Sequence, residues 1–367
     1  MSDRLLVGTR KGLFRVGRAA DGRWSIERDW FLGDPVSMVL PGRHREATLA
    51  ALDLGHFGVK LQRMEGDGEA WTELPAPAYP PRPDGIEDKD PMRGIDIPWS
   101  TRLVWSLEAG GPHEAWCGTI PGGLFHTTDG GESWELVRPL WDDPRRKQWM
   151  GGGYDFAGIH SILVDPRDAD HVTVAVSCGG VWKTRNRGTD WELAGAGLRN
   201  AYMPPDLAAD PVAQDPHKVR HCEAEPDRMW MQHHNGIFRS DDAGATWREI
   251  DNAQPSSFGF AVAVHPADPD TAWFVPAVKD EQRVPVDARL VVTRTRDGGS
   301  TFERLDRGLP DEPAYDLVYR HGLDISGDGE RLAFGSTTGS LWVSENQGDD
   351  WRIVSRHLPP ILCVRFE

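Results

Sequence analysis

The chain has 367 residues, of which 39% are hydrophobic and 27% charged, a composition typical of a soluble globular protein. Its formal net charge of −16 argues against nucleic acid or an anionic membrane as the main partner, since both bind basic surfaces. The opening sequence MSDRLLVGTRKGLF is charged early, and no stretch approaches about 18 apolar residues, so we expect neither a secretory signal nor a membrane span. Four scattered cysteines without a CxxC pair indicate free buried thiols and a cytoplasmic protein.

A short turn closed by an aromatic residue recurs along the chain. Two degenerate copies come first and end at Trp24 and Trp71. Five clear copies follow, and their sequences are HTTDGGESW (126–134), KTRNRGTDW (183–191), RSDDAGATW (239–247), RTRDGGSTF (294–302) and VSENQGDDW (343–351). The seven closing aromatics lie 47 to 63 residues apart. That period is typical of a β-propeller blade with four strands and its loops.

The same order of strands, A to D, returns in each repeat. In the repeat that ends at Trp191, strands A to C read HSILVDP (160–166), HVTVAVS (171–177) and GGVWKT (179–184), and the turn leads into strand D. The chain opens on RLLVGTRKGLFRV, which reads as strands B and C, and it ends on PPILCVRFE, which reads as a strand A. We therefore predict an all-β fold with one domain over 1–367, a seven-bladed β-propeller closed by the C-terminal strand in the first blade. An open solenoid would leave both ends unpaired.

Each position of the turn pattern Ser/Thr-x-Asp-x-Gly-x-Ser/Thr-Trp/Phe has a structural role. Aspartate or asparagine can accept bonds from backbone N–H groups, glycine permits positive φ, and the aromatic side chain buries apolar surface. We therefore predict a structural role for Asp129, Asn186, Asp242, Asp297 and Asn346, and for the aromatics Trp134, Trp191, Trp247, Phe302 and Trp351.

These turns resemble the BNR or Asp-box repeats of sialidases, sortilin-like receptors, xyloglucan-degrading glycoside hydrolases and plant photosystem assembly factors. The resemblance covers all seven repeats. It implies that the Asp-box occupies the turn between strands C and D, away from the active face. It does not fix an activity, because such proteins include both enzymes and binding proteins.

The long connections all belong to the D–A and B–C loops, which this topology places on one face. They span 75–99, 138–159, 195–219, 278–289 and 303–315, whereas the A–B turns are short. Long loops on a rigid scaffold are common sites of function. The candidate ligand-binding residues on that face are Asp96, Trp99, Tyr154, Asp155, His160, Arg220, His221, Glu223, His233, His234 and His321. Aligned A strands place His160, Arg220 and His321 at equivalent positions near the channel mouth.

Three interpretations of these residues stay open. The histidines with Asp or Glu could hold a divalent metal such as Zn, Mn or Fe. Two carboxylates beside Trp99 and Tyr154 could carry out glycoside chemistry, although FRVG (14–17) has Gly17 where sialidases have proline, which argues against sialidase activity. Finally, the face could bind a ligand without turnover. We predict binding of a sugar or small polar ligand on this face, and the sequence leaves open whether glycoside hydrolase-like chemistry follows. The alternative is a non-enzymatic protein-interaction scaffold.

Overall fold

The computed structural model describes residues 2–42, 47–66, 68 and 70–367, and this part of the chain is almost entirely β. Its short helices are α1 at Arg138–Trp141 and 3₁₀ turns at Gly55–Phe57, Pro144–Gln148, Pro211–Ala213 and Val286–Ala288. Within the described ranges no helix is long and apolar enough to cross a lipid bilayer. The strands are β1 Arg4–Thr9, β2 Gly12–Arg18, β3 Trp24–Trp30, β4 Val36–Leu40, β5 Ala47–Asp53, β6 Val59–Glu65, β7 Thr72–Leu74, β8 Leu103–Ala109, β9 Ala115–Ile120, β10 Leu124–Thr127, β11 Glu135–Leu136, β12 Ile159–Asp165, β13 Asp168–Val176, β14 Gly180–Thr184, β15 Glu192–Ala194, β16 Pro216–His221, β17 Met229–His233, β18 Gly236–Ser240, β19 Arg248–Ile250, β20 Gly259–His265, β21 Asp268–Pro276, β22 Val292–Thr295, β23 Glu303–Leu305, β24 Leu323–Ile325, β25 Leu332–Gly335, β26 Leu341–Ser344, β27 Arg352–Ser355 and β28 Ile361–Phe366.

These strands form seven four-stranded sheets in the described part of the chain. Six sheets contain four consecutive strands each, from β4–β7 to β24–β27, and the seventh has the order β28-β1-β2-β3. Consecutive strands in a sheet are antiparallel neighbours, as in a meander. The fold is a seven-bladed β-propeller, which confirms the predicted fold class.

Backbone contacts divide the chain into two compact units. The first unit comprises 1–39 and 217–367, and the second comprises 40–216. The first unit contains the sheet β28-β1-β2-β3 and most of the three sheets from β16 to β27, and the second contains β5 to β15. A single domain over 1–367 stays a prediction.

The C-terminal strand completes the sheet that contains the start of the chain. β28 pairs antiparallel with β1, with Val7 opposite Val364 and Leu5 opposite Phe366. All four of these side chains are fully buried in one apolar cluster of the first unit. Burial of this apolar surface favours the pairing because it removes both strand faces from water. The predicted role of the C-terminal strand is confirmed.

The repeated turns connect the third and fourth strands of their sheets by one set of side-chain bonds. In the turn between β10 and β11, Asp129 accepts bonds from the backbone N–H and the hydroxyl of Ser133, at 3.0 and 2.6 Å. Thr127 donates its hydroxyl to Asp129 at 2.7 Å and accepts the N–H of Gly131 at 3.1 Å. The Ser133 hydroxyl above all lowers the pKa of Asp129, to about 2, because these donors stabilise the carboxylate. Gly131 has a φ of +98°, which side chains rarely adopt.

In two of the turns, the residues equivalent to Asp129 and Ser133 exchange the roles of hydrogen-bond acceptor and donor. Asn186 accepts the backbone N–H of Asp190 at 2.9 Å and donates its amide to the Asp190 carboxylate at 3.0 Å. Asn346 and Asp350 repeat the arrangement, with the amide-to-carboxylate bond at 2.8 Å. Where asparagine replaces the aspartate, a carboxylate replaces the hydroxyl four residues later. The bond is kept, and donor and acceptor exchange places.

The closing aromatic packs beneath each turn. In the turn between β18 and β19, Trp247 is 4% exposed and donates its indole N–H to the carbonyl of Gly244 at 3.0 Å. Trp191 makes the same bond to Gly188 at 3.1 Å. Of the two degenerate upstream copies, the one that ends at Trp71 includes Asp67 and Glu69, which lie outside the described residues.

The exchanged pair predicts a compensating double substitution. Asn186→Asp would place two carboxylates where an amide now donates to Asp190, so we expect about 1 kcal/mol or more of destabilisation at pH 7. Adding Asp190→Ser should restore most of that stability, because it recreates the Asp129–Ser133 arrangement. Urea denaturation of both single variants and the double variant measures the coupling.

The penalty of Asn186→Asp alone should shrink below about pH 4, where carboxyl groups take up protons. Equal stability of Asn186→Asp and the unmodified chain at pH 7 would contradict this account of the turn.

Candidate functional site

An open cleft in the second unit is the candidate site. Its volume is about 430 Å³, within the usual range for ligand sites. Three segments form it: the loop from β7 to β8, the end of β9, and the loop from β11 to β12. These are D–A and B–C connections, the class in which the sequence predicts a site. The lining residues are Asp96, Pro98, Arg102, Ile120, Tyr154, Asp155 and Phe156.

A buried ion pair joins the two long loops behind the cleft. Asp88 is 1% exposed, and both of its carboxylate oxygens accept bonds from Arg146 at 2.9 Å. Asp88 also accepts the indole N–H of Trp99 at 2.9 Å. This bond holds the ring of Trp99, which lies 5.5 Å from Trp141. A contact between Trp99 and a ligand stays a prediction. Neither Asp88 nor Arg146 was predicted, because isolated charged residues in loops give no sequence signal of burial.

A second buried carboxylate shapes the loop that precedes the cleft. Asp90 is 1% exposed and accepts the backbone N–H groups of Met92 and Arg93 at 3.0 and 2.8 Å. Its other oxygen accepts the N–H of Gly151 at 2.9 Å. Backbone donors therefore hold this turn in place, as expected for a carboxylate that is removed from water.

Two exposed carboxylates, both predicted, line the cleft. The side chain of Asp96 is 68% exposed and lies 3.5 Å from a guanidinium nitrogen of Arg82. The side chain of Asp155 is 80% exposed and bonds to Arg93 at 2.6 Å. Ion pairs this exposed contribute little to stability and exchange readily with solvent. Both carboxylates are therefore accessible to a ligand in the cleft.

Aromatic side chains supply the apolar part of the cleft. Tyr154 is 47% exposed and packs edge to face against Trp105, with ring centroids 5.1 Å apart. Trp105 is 7% exposed, and Phe156 beside it is half-buried. The exposed ring of Tyr154 offers a flat apolar face and a hydroxyl, a combination that suits polar ligands with C–H surfaces.

His160 lies below this aromatic layer and does not line the cleft. It is fully buried, its Nδ1 shares a 2.9 Å hydrogen bond with the Ser161 hydroxyl, and its ring is 5.4 Å from Trp105. Trp105, two residues after Leu103, packs on His160. The register of β8 shifts between Val104 and Ser106, which places Trp105 at this irregularity of the strand.

The same alignment misplaced the first residues of β16. This strand begins at Pro216, so its second residue is His217, as His160 is in β12 and Phe260 in β20. Arg220, which the sequence placed at this level, lies three residues further along and pairs with Asp324 at 3.7 Å. The error arose because the polar run from His217 to Arg220 does not read as a buried strand.

The direction of β16 also takes His221 and Glu223 away from the level of His217. At about 3.3 Å per residue, they lie roughly 13 and 20 Å beyond His217, toward the A–B turn. His221 is half-buried and Glu223 is exposed. The structure therefore separates both from the level of His217, contrary to the expectation that they meet a ligand together.

Two other predicted histidines serve buried networks in the first unit. His233 is fully buried, and its Nδ1 accepts the backbone N–H of Asn235 at 3.1 Å, within the turn from β17 to β18. His321 is 3% exposed, and its Nδ1 accepts a bond from the ammonium of Lys218 at 3.1 Å. These contacts engage Nδ1 of each ring, and ligand binding by either histidine stays a prediction.

His217 and His234 are the histidines of the first unit that could share a metal ion. A ring nitrogen of each lies within 4.8 Å of the other, and the ring centroids are 5.2 Å apart. His217 donates its Nδ1–H to the carbonyl of Gly259 at 2.7 Å, which leaves Nε2 with the lone pair. Imidazole nitrogens suit Zn²⁺ and similar ions. A metal at the histidine-rich mouth stays a prediction.

Comparisons with known proteins indicate a β-propeller with xyloglucanase-like relatives. No family model matches the chain. Xyloglucanase Xgh74A of Acetivibrio thermocellus is 22% identical over 280 residues, which cover 65% of this chain and 31% of that protein. The chain thus spans about a third of the length of this curated relative.

Solved structures show the same fold. The GH74 xyloglucanase of Xanthomonas campestris superposes with a TM-score of 0.65 at 15% identity, over 97% of this chain and 53% of that chain. YCF48 from Cyanidioschyzon merolae superposes with a TM-score of 0.55 at 16% identity, over 94% of this chain and 92% of that chain. At these identities the likeness extends to the β-propeller fold alone.

The burial of His160 predicts a stability effect. We expect His160→Ala to destabilise the fold by about 2 kcal/mol, because it opens a cavity beside Trp105. His113→Ala is the matched control, since His113 is exposed in the turn from β8 to β9. Thermal melts compare the two. Unchanged stability of His160→Ala with altered ligand binding would instead make His160 a ligand residue.

Proposed function

We propose that the chain binds an oligosaccharide in the cleft and hydrolyses its glycosidic bonds. One observation carries this proposal: two exposed carboxylates, Asp96 and Asp155, line the same cleft as the exposed ring of Tyr154. The aromatic ring would pack against the C–H face of a sugar, and the carboxylates would reach its hydroxyl and glycosidic oxygens. The similarity to xyloglucanases supports a carbohydrate as the ligand.

Asp96 and Asp155 provide the two groups that glycoside hydrolysis requires. One carboxyl group donates a proton to the glycosidic oxygen as the C–O bond breaks, and the other, ionised, takes a proton from the attacking water or attacks the sugar itself. Each cycle consumes one water and releases one new reducing end.

The repeated turns belong to the Asp-box class in this proposal. The bonds from Ser133 to Asp129 and the positive φ of Gly131 support that assignment. The turns lie between third and fourth strands, whereas the cleft is formed by the other class of connection. The turns therefore stabilise the blades and take no part in the chemistry.

A protein-interaction scaffold is the second candidate. The loop from β7 to β8 exposes three large apolar side chains, Ile86, Met92 and Ile95, at 48%, 66% and 43%. Such residues could contact a peptide or a protein surface. This candidate predicts that sugars do not bind and that substitutions of Asp96 and Asp155 have no catalytic effect.

Hydrolysis and binding can be tested separately. Reducing-end release from xyloglucan oligosaccharides should fall at least 100-fold in Asp96→Asn and in Asp155→Asn, in line with the loss of acid–base catalysis. Asp206→Asn is the matched control, because Asp206 is exposed in another loop of the second unit. Binding should weaken about tenfold in Tyr154→Ala and stay unchanged in Tyr202→Ala, whose parent side chain is 59% exposed outside the cleft lining.

Binding without any release of reducing ends would reject the hydrolytic part and keep the binding part. Hydrolysis that survives both carboxylate substitutions would place the reaction elsewhere. Absence of both binding and hydrolysis over a panel of plant oligosaccharides would favour the scaffold.

A further inference from the structure

We infer that the cleft selects a saccharide that carries a carboxylate, such as a uronic acid, and that Arg102 binds this group. The inference rests on the proposed carbohydrate function and names its substrate class. It follows from the distribution of charge in the cleft.

Arg102 is held at the edge of the cleft by its backbone. Its N–H donates to the carbonyl of Ile120 at 2.8 Å, one residue before β8 begins. The side chain is exposed and lines the cleft. Among the residues that the structure describes, its guanidinium makes neither a hydrogen bond nor an ion pair. The backbone of Arg102 is therefore held in place, and the N–H donors of its guanidinium remain available to a ligand.

The remaining charges of the cleft balance one another. Asp155 pairs with Arg93, and Asp96 pairs with Arg82, at 2.6 and 3.5 Å. Of the three charged residues that line the cleft, Arg102 is thus the one without an opposite charge paired to it, in a chain whose formal net charge is −16. A cationic group among balanced pairs attracts an anion locally, against the repulsion of the protein as a whole.

A carboxylate is the anion that fits these surroundings. The guanidinium group presents parallel N–H donors that match both oxygens of a carboxylate. Tyr154, in the same cleft, would pack against the ring of the sugar that bears it. A neutral oligosaccharide would bury the Arg102 charge without a partner, which weakens binding. The cleft therefore discriminates by charge in addition to shape.

The test compares two ligands that differ in one group. Calorimetry measures the dissociation constants of a xylo-oligosaccharide with a glucuronic acid branch and of the same oligosaccharide without it. We expect the acidic ligand to bind at least tenfold more tightly in low salt, and this advantage to shrink as salt is raised. Arg102→Gln should abolish the preference and tighten binding of the neutral ligand, because no unpaired charge is then buried, while Arg102→Lys should retain part of the preference.

Arg296→Gln is the matched control, because Arg296 is exposed and is not among the residues that line the cleft. Equal affinity for the two ligands, or a preference that persists in Arg102→Gln, would overturn the inference while carbohydrate binding stands. A stronger preference for a sulfated analogue would overturn the assignment to a carboxylate. If neither ligand binds, the proposed function fails together with the inference.

Discussion

The contact between Asp88 and Arg146 is the interaction on which the candidate site depends. It joins two long loops through a carboxylate that is almost fully removed from water. Burying two charges is costly unless geometry and further hydrogen bonds compensate, and here both oxygens are engaged and Trp99 adds a third donor. Loss of either partner would leave an uncompensated buried charge. The cleft residues Asp96 and Asp155 lie on these loops, and the buried contact, together with the bonds from Gly151 to Asp90 and from Arg93 to Asp155, sets their relative position.

In this arrangement, the residues that stabilise the fold differ from the residues that we propose to act on a ligand. The blades are stabilised by apolar strands and by the bonded turns, and the loops are fixed by Asp88 and Asp90. The groups left in contact with solvent, Asp96, Arg102, Tyr154 and Asp155, have little to do for stability. Exposed polar groups on a fixed support can be exchanged without unfolding the protein, which is a physical reason why propellers with similar blades have different functions.

The fold was predictable because its signal is local and repeated. The turn motif, its period and the incomplete repeats at both ends together determined the blade count and the pairing of β28 with β1. Two cleft carboxylates and Tyr154 were also predictable, since they stand in long loops. The register of β16 was not, because His217 and Lys218 are polar residues in a buried strand and hide its beginning. Nor was the burial of His160, because a histidine in a strand looks the same in the sequence whether its partner is a ligand or a neighbouring hydroxyl.

The reversed turns have a consequence for how such a chain can change over time. Whether the first residue of the pair is aspartate or asparagine, each bonded pair holds a single negative charge, on Asp129, Asp190, Asp242, Asp297 or Asp350. Converting one form into the other requires two codon changes, and the intermediate has either two negative charges or none. The five blades with these bonded turns thus fall into two chemical classes with equal charge, and passage between the classes goes through a sequence in which the charge of the pair differs by one.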